Sequence, residues 1–266
     1  MDPFIKLSSP ATNVFWKIAV LFEVADLFAL NKPSRLLVSP DRYDPTRPNL
    51  MRLLHEAIAR DARWARERGI TYLSNAHRLD FETSGVLLLA RNKPALIRLA
   101  DQFGSEKPQK RYVALIHGSP PKEVFEAEAK LGFHPTKLGL VRVDPKSGKK
   151  ARTSFRVLER FGSYSLVECK PETGRTHQIR VHLQWLHYPI VGDQTYHGSP
   201  LLLSFLKSSY RLKPGAVERP LLDRVALHAE ELSLPHPTNG QPVTITAPWP
   251  KDLVVAVKYL RLFANR

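Results

Sequence analysis

Short strand-like segments separated by turns fill the middle of this chain and constrain its fold more than any other feature. Four of them follow one another, at Glu123–Leu131, Leu138–Val143, Ala151–Glu159 and Tyr164–Lys170. The turns between them are rich in Gly, Pro and Lys, and Gly and Pro favour reversals of the chain. Strands joined by short turns pair antiparallel. The sequence therefore predicts an α+β fold with a mixed, mostly antiparallel sheet flanked by helices and loops.

The rest of the chain adds strands and a few helices to this pattern. Phe22–Leu30 is predicted to be a pair of strands or one bent strand. Further strands are predicted at Arg35–Val38, Val86–Ala90, Arg111–His117, Leu227–Leu234 and Pro242–Thr246. The spacing of apolar residues predicts helices at Asn49–Arg68, Asn92–Phe103, Arg175–His187 and Asp252–Phe263. The polar, proline-punctuated stretch from Gly198 to Pro220 is expected to be an insertion or a long loop.

The length of 266 residues allows one large domain or two small ones, and a hydrophobic content of 43% excludes a disordered chain. Ser8, Ser9 and Pro10 indicate irregular structure near the start of the chain. We therefore expect residues 1–20 to be an N-terminal lead that is not a domain, and residues 21–266 to form a single domain.

The chain is strongly basic, with 40 Lys and Arg against 25 Asp and Glu and a formal charge of +15. This balance predicts a polyanionic partner, most often a nucleic acid. A single cysteine, Cys169, excludes an intrachain disulfide and a Cys-rich zinc site. The most apolar stretch, Val14–Leu30, is interrupted by charges, and no basic leader precedes an apolar block. We therefore expect no membrane partner and a cytoplasmic location.

No motif for a metal or a nucleotide is present in the sequence. It contains neither G-x-G-x-x-G nor H-E-x-x-H, and it lacks the G-x-S-x-G elbow of a serine hydrolase. His177, His182 and His187 are five residues apart, which does not place them on one face of a helix. The expectation is a protein with neither a metal nor an organic cofactor.

Two dense polar segments are candidates for chemistry. His77–Gly85 packs ionisable side chains into a loop just before an apolar strand, and Pro171–Leu183 opens a helix. Loops that follow or precede buried strands often carry functional residues. Each segment also has a structural interpretation. The first is explained by a turn in which Asp80 accepts backbone N–H bonds, and the second by an amphipathic helix.

The residues themselves resemble a known family. His77–Gly85 reads HRLDFETSG and resembles the H-R-L-D-x-x-T-S-G motif of the RluA-type RNA pseudouridine synthases. Other segments are similar to that family's signatures and occur in its order: Asn31–Pro33, Lys110–Tyr112, Thr173–Leu183, Pro189–Asp193, Leu227–Ala229 and His236–Pro237. The similarity extends from about Phe22 to Leu253.

The resemblance implies the pseudouridine synthase catalytic fold and an isomerase, an intramolecular transferase that converts uridine in structured rRNA or tRNA to pseudouridine. It makes Asp80 the catalytic aspartate and Tyr112 the ring that stacks on the target uracil and helps in proton removal. Arg180 matches the arginine that pairs with that aspartate. Arg78 matches a residue that fills the space left by a flipped nucleotide. Further residues of the matched segments are expected to bind substrate: His77, Thr83, Arg175, His177 and Gln178.

Two departures from the family pattern bear on RNA binding. Position 81 is Phe where many members carry Arg or Lys, so we expect one phosphate contact to be missing there. The length also leaves no room for the N-terminal S4 module of several relatives, so we expect the catalytic domain itself to select the substrate. We expect RNA as the partner, no obligatory protein partner, and a monomer.

The reaction explains why so few residues carry it. Making pseudouridine breaks the C1′–N1 bond, turns the base and joins C5 to C1′, with no redox change. One carboxylate can act as nucleophile or stabilise positive charge at C1′. The sequence does not choose between attack on ribose, attack on C6 and a glycal route.

Basic residues outside these motifs are candidates for RNA contact. They flank the turn Pro145–Gly148, where Lys146, Lys149 and Lys150 are predicted to grip phosphates from a hairpin. The alternative is a solubilising edge hairpin. The arginines of the predicted helix Asn49–Arg68 either face RNA or form a solvated face neutralised by nearby acids.

Two other function classes compete with an isomerase. A non-catalytic RNA-binding or ribosome-assembly protein could use the same fold, and the presence of Asp80, Tyr112 and Arg180 argues against it. A glycoside or nucleoside hydrolase needs a second placed carboxylate, for which Glu82 is the nearby candidate.

Overall fold

The computed structural model describes residues 2–9, 12–213 and 215–264. Its strands are β1 (Phe4–Ser9), β2 (Val14–Glu23), β3 (Leu27–Lys32), β4 (Ser74–Asn75), β5 (Ser84–Ala90), β6 (Gln109–His117), β7 (Val124–Phe133), β8 (Val141–Val143), β9 (Lys149–Phe161), β10 (Tyr164–Pro171), β11 (Leu227–Pro235) and β12 (Pro242–Thr246). Its helices are α1 (Leu50–Ala59), α2 (Arg63–Glu67), α3 (Lys93–Gly104), α4 (Gln178–Trp185), α5 (Leu203–Leu206) and α6 (Lys251–Phe263).

The chain divides into two compact units, each built from two stretches of sequence. Unit 1 comprises Met1–Gln109 and Ala229–Pro248, and unit 2 comprises Lys110–His228 and Trp249–Arg266. Both units combine helices with sheets in which β1–β2, β2–β3, β3–β5 and β6–β10 pair antiparallel. The predicted α+β class is confirmed. None of the helices in the described ranges is both long and apolar enough to span a bilayer.

In unit 1 the strand order is β1, β2, β3, β5 and β11, with β4 paired to β5 and β12 to β11. Every residue of β5 is buried, as expected from its unbroken apolar run. Helix α3 covers this sheet with Ala95 and Leu99, which pack in one core with Leu88 of β5. The helix begins where the side chain of Asn92 accepts a hydrogen bond from the backbone N–H of Ala95, at 2.8 Å.

The irregular lead expected for residues 1–20 is wrong in the described part. Phe4–Ser9 forms β1, which pairs antiparallel with β2, and both continue the sheet of unit 1. The alternation of buried and exposed residues in β1 shows why the segment folds: Ile5 and Leu7 are buried while Lys6 between them is exposed. Pro10 lies outside the described residues.

The single helix expected over Asn49–Arg68 is two helices. Asn49 caps α1, and its side chain accepts a hydrogen bond from Arg52 N at 3.0 Å. The chain then turns at Asp61, which has a left-handed φ of 53°, before α2 begins. Aspartate tolerates this conformation better than most residues. Gly69, with φ of 60°, follows α2 as a left-handed stop.

Unit 2 carries the strand order β6, β10, β9, β7 and β8. Its core joins β6, β10 and α6 through buried residues such as Leu115, Val167 and Val257. Helix α4 contacts the sheet at β7, β8, β9 and β10. The stretch from Gly198 to Pro220 contains the short helix α5 and is otherwise irregular where it is described, which confirms the predicted insertion or long loop.

The hairpin predicted across Pro145–Gly148 is wrong in its pairing. Strands β8 and β9 do not pair with each other, because β7 lies between them and pairs with both. The crossing chain passes close to β7. An added Cβ at Gly148 would lie 2.8 Å from the carbonyl carbon of Lys130, so this close approach requires glycine. The basic residues therefore lie on two strands separated by a third.

Candidate active site

The loop that carries Asp80 lies between β4 and β5, and a buried lysine holds its backbone. Lys32 is fully buried, and its Nζ donates to the carbonyls of Pro33 and Leu36 at 2.8 and 2.7 Å and of Phe81 at 3.4 Å. The backbone N–H of Arg35 donates to the same Phe81 carbonyl at 2.7 Å. A buried ammonium satisfied by several carbonyls is costly to disturb. The residue after Asp80 is thereby held in place.

Other residues of the motif hold the same loop. His77 accepts a hydrogen bond at Nε2 from the backbone N–H of Leu88, at 2.9 Å, and its ring stacks on Phe103 at 4.6 Å. Thr83 is buried, and its N–H donates to the carbonyl of Asp80 at 3.2 Å. These contacts support the loop. Binding of substrate by His77 and Thr83 stays a prediction.

Gly85 explains why the motif ends in glycine. Its φ is 117°, and an added Cβ would lie 2.1 Å from the carbonyl oxygen of Ala229 in β11. No other residue fits such a close backbone approach. The strand that follows the Asp80 loop therefore packs against β11 without an intervening side chain. Arg78, in the same loop, is exposed.

Tyr112 lies on β6 in unit 2, opposite Cys169 of β10. Its half-buried ring packs against the core of that unit. The Cys169 thiol is fully buried, and burial raises its pKa well above the ordinary value, which makes it a poor nucleophile. Lys110, two residues before Tyr112, donates to the carbonyl of Thr173 at 3.1 Å. This bond ties the start of β6 to the second polar segment.

Gln178 organises the second polar segment from inside the protein. Its Oε1 accepts from the Thr173 hydroxyl and from Arg175 N, and its Nε2 donates to Arg152 O and to Thr153 Oγ1. The side chain is buried, and its amide hydrogens go to the protein. Gln178 therefore fixes the chain from Thr173 to Arg175, just before the helix α4 that it begins. A direct contact with RNA would require an exposed group.

Arg180 is buried and held by a carboxylate that sequence reasoning did not assign. Its Nε and Nη2 bind the two oxygens of Asp193 at 2.7 and 2.8 Å, and the side chains are 6% and 1% exposed. This two-bond geometry fixes the plane of the guanidinium. The guanidinium also lies 4.9 Å from the centre of the Tyr196 ring.

Tyr196 links this pair to the start of α4. Its hydroxyl accepts from Val141 N at 3.1 Å and lies 2.8 Å from Nδ1 of His177. His177 has a left-handed φ of 53° at the cap of α4. Neither Tyr196 nor Asp193 was given a role from sequence. A signal was available, since an arginine on the buried face of a helix requires an acidic partner, and Asp193 stands in a family-like segment.

The predicted site residues fall into two groups. Asp80, His77, Arg78 and Thr83 lie in one loop of unit 1. Tyr112 and the residues at the start of α4 belong to unit 2, where Arg175 Nε also donates to the carbonyl of Lys150 at 3.1 Å. The ion pair of Asp80 with Arg180 stays a prediction. Among the described residues, no group of three or more His, Cys, Asp and Glu side chains is arranged to hold a metal ion.

The basic residues differ in how far they are neutralised. Arg52, Arg63 and Arg66 bind Glu56, Glu67 and Asp61 at 2.6 to 2.8 Å. Two interpretations of these arginines were open, contact with RNA or a solvated face neutralised by nearby acids. The ion pairs support the solvated face. Lys146, Lys149 and Lys150 are exposed, and no acidic side chain in the described ranges forms an ion pair with them.

Comparison with known proteins matches residues 26–185 to the family model of RNA pseudouridylate synthase. An uncharacterised RNA pseudouridine synthase of Synechocystis is 34% identical over 97% of this chain and 72% of its own length. Ribosomal large subunit pseudouridine synthase D of Xylella fastidiosa is 35% identical over 91% and 69%. A solved structure of human RNA pseudouridylate synthase domain containing 4 superposes with a TM-score of 0.67 at 24% identity, covering 91% and 92%, and shows the same fold. The matched residues 26–185 include Asp80, Tyr112 and Arg180.

Proposed function

The chain belongs to the RNA pseudouridylate synthase family, and from that premise we propose that it modifies RNA of the large ribosomal subunit with Asp80 as its catalytic aspartate. The enzyme is an isomerase that converts uridine in RNA to pseudouridine. Relatives from Xylella fastidiosa and Haemophilus ducreyi are named for the large ribosomal subunit, which favours rRNA over tRNA as the substrate.

Asp80 is proposed to act at the target nucleotide, as nucleophile or as the charge that stabilises a cationic C1′. Its loop suits this role, because hydrogen bonds hold the backbone at Asp80 and at the next residue. Lys32 and Arg35 donate to the carbonyl of Phe81, and Thr83 donates to the carbonyl of Asp80. A carboxylate on a fixed backbone needs little reorganisation as charge develops at the sugar.

Arg180 is proposed to keep Asp80 ionised and oriented, since a neighbouring cation favours the charged form of a carboxylate. The bonds from Asp193 support this role by fixing the guanidinium in advance. Arginine suits a position that serves two carboxylates, because its planar group carries five N–H donors.

Tyr112 and Arg78 are proposed to offset the free energy of extruding the nucleotide. Flipping a base costs about a few kcal/mol. Stacking on an aromatic ring contributes about 1–3 kcal/mol in the opposite direction. Arg78 is exposed in the Asp80 loop, where it can enter the space that the base leaves. The proposal places the enzyme in the cytoplasm as a monomer, and the lone buried Cys169 suits a reducing compartment.

The observation that carries the proposal is that the family match extends through Asp80, Tyr112 and Arg180 over residues 26–185. Mapping pseudouridine in total RNA from a deletion strain identifies the substrate, and loss of a large-subunit rRNA site on deletion is the expected result. Loss of a tRNA site alone would contradict the choice of rRNA.

We expect Asp80→Asn to abolish isomerisation, because the amide cannot act as nucleophile or carry negative charge. Tritium release from RNA labelled with 5-³H-uridine measures the reaction. Thr83 and Lys32 hold the loop through backbone carbonyls, so RNA affinity and folding should persist in the variant. Turnover within tenfold of the wild type would contradict the role of Asp80. Release of free uracil would indicate a hydrolase instead.

A further inference from the structure

A surface loop beside the Asp80 segment holds two arginines against aromatic rings. The guanidinium of Arg47 lies 4.7 Å from the centre of the Phe81 ring, and that of Arg42 lies 5.9 Å from the Tyr43 ring. We define residues 41–47 as the arginine loop. Cations over aromatic faces are attracted by the ring quadrupole, which holds long side chains in one position.

The arginine loop is shaped by its own acidic residues. The carboxylate of Asp41 accepts from the backbone N–H of Tyr43 at 2.9 Å and from Nη1 of Arg47 at 2.9 Å. Asp44 accepts from the N–H of Thr46 at 3.1 Å, and the N–H of Arg47 donates to the carbonyl of Asp44 at 3.3 Å. Backbone rotation is restricted further by three prolines in and beside the loop, Pro40, Pro45 and Pro48.

Arg47 is fixed and still open to a second anion. The Tyr43 N–H, and then the charge of Arg47, lower the pKa of the Asp41 carboxyl, so the ion pair persists at neutral pH. The Arg47 side chain is nevertheless 39% exposed. A guanidinium has five N–H donors, and the bond to Asp41 uses one of them.

Phe81 links this cation to the loop that carries Asp80. It directly follows Asp80, and consecutive Cα atoms lie about 3.8 Å apart. Its carbonyl is held by Lys32 and by the N–H of Arg35, so ring and catalytic loop share one rigid support. The cation over Phe81 and the carboxylate of Asp80 are therefore carried by adjacent residues of one supported loop.

We propose that Arg47, held over Phe81 by Asp41, binds a backbone phosphate of the RNA strand next to the target uridine. Position 81 has no charge of its own, and the stacked Arg47 supplies a cation at that place. The exposed ring of Tyr43, at 52%, offers a second contact on which an unpaired base can stack. This inference rests on the proposed function for its substrate.

The test compares Arg47→Gln with Arg63→Gln, which removes the same charge from an arginine paired with Glu67 on α2. Isomerisation of the RNA and RNA binding are measured from low to high salt. For Arg47→Gln we expect KM and Kd to rise about tenfold, with a smaller change in kcat, because the variant cannot form the charge-assisted hydrogen bond. The slope of log K against log salt should flatten by about 0.7 to 0.9. Arg63→Gln should match the wild type in both.

A second variant tests the position of the charge. Adding Phe81→Arg to Arg47→Gln returns a cation to the same place, and we expect it to restore part of the affinity and of the salt slope. Arg47→Lys keeps the charge. It replaces Arg47→Gln in the measurements of affinity and salt slope if Arg47→Gln melts at a lower temperature than the wild type.

The outcomes separate this inference from the function on which it rests. If the wild type forms no pseudouridine, the proposed function fails, while the binding arm still decides whether Arg47 contacts RNA. If Arg47→Gln matches Arg63→Gln in KM, Kd and salt slope, Arg47 does not bind phosphate and only stabilises its loop.

Discussion

At the scale of single residues, this enzyme buries two charged side chains in or beneath the segments of its candidate site. Arg180 is nearly inaccessible and bound twice by Asp193, and Lys32 is fully buried beneath the Asp80 loop. Burying such charges is unfavourable unless each is paired or hydrogen-bonded. Both charges lie in segments that the family resemblance singles out, which fits a role in orienting catalytic groups.

The Arg180–Asp193 pair leads to a prediction about stability. Asp193→Asn removes the charged group that binds two donors of the buried Arg180, and we expect the free energy of unfolding to fall by about 3–5 kcal/mol. Isomerisation should fall with it, because the plane of Arg180 is no longer fixed. Urea unfolding and tritium release measure the two effects.

Asp61→Asn is the matched control, since Asp61 pairs with Arg66 on the surface with both side chains more than half exposed. Exposed pairs of this kind contribute about 0–1 kcal/mol. If Asp193→Asn were as stable as Asp61→Asn, the buried pair would not hold Arg180 as described.

At the scale of elements, helix α4 carries a buried histidine that makes unit 2 sensitive to acid. His182 Nδ1 lies 2.9 Å from Thr153 Oγ1, while its Nε2 is buried and has no hydrogen-bond partner among the described residues. Burial lowers the pKa of His182 to about 4, from an ordinary value of 6.5. The neutral ring is therefore the form that the fold accepts.

We expect the stability of the protein to fall as the pH drops from about 6.5 to about 4. In this window the unfolded chain takes up a proton at His182 and the folded chain does not, so the unfolded state is favoured. The decrease is up to about 1.4 kcal/mol per pH unit. Thermal melting across this range measures it.

His182→Gln should show a flatter dependence on pH than the wild type in that window. His187→Gln, which changes an exposed histidine just after the same helix, should leave the dependence unchanged. Equal slopes for the wild type and His182→Gln would show that other groups govern the acid sensitivity.

The elements also show how far the sequence determines this fold. The buried run of β5 and the helix α3 are local signals, and both were predicted correctly. The insertion of β7 between β8 and β9 was not, because strand pairing depends on segments distant in sequence. The break at Asp61 was missed for another reason: the apolar spacing continues across it, and the helix is interrupted only by the left-handed Asp61 and by Ala62, whose ψ is 137°.

In the candidate site, too, local sequence signals were found and contacts between distant segments were missed. The resemblance drew attention to Asp80, Tyr112 and Arg180, and also to Gln178, because each stands in a segment similar to a family signature. What Gln178 and Asp193 do depends on contacts inside the protein with residues elsewhere in the sequence. The family-like segment around Asp193 was a signal, but the spacing of residues does not identify which carboxylate will meet a buried arginine thirteen positions away. The packing of the folded chain selects Asp193.

At the scale of the whole molecule, the charge of +15 is unevenly available for binding. The arginines of α1 and α2 are largely neutralised by Glu56, Glu67 and Asp61, whereas Lys146, Lys149 and Lys150 are exposed on the turn and strand that follow β8. A surface cation without an acidic neighbour contributes its full charge to phosphate binding, whereas a neighbouring carboxylate offsets part of the charge of a paired one.

We therefore expect neutralising Lys146, Lys149 and Lys150 together to weaken binding of target and non-target RNA alike. The slope of log K against log salt should flatten by about 0.7 to 0.9 for each phosphate that the variant no longer neutralises. A salt titration of RNA binding measures the effect. The triple change Arg52→Gln, Arg63→Gln and Arg66→Gln removes the same charge from paired residues and should have a much smaller effect. A slope for the lysine variant that equals the slope of the wild type would assign the lysines to solubility alone.

The composition of the two units has a consequence for how the protein is made. Unit 1 needs Ala229–Pro248, whose Leu232, Leu234 and Ile245 complete the core around β5, yet its first stretch ends at Gln109. At about 5–20 residues per second, the ribosome synthesises Ala229–Pro248 on the order of ten seconds after Gln109. During this interval the apolar face of the nascent sheet is open on the emerging chain. During this period of synthesis, the exposed apolar face is a surface that a chaperone can bind.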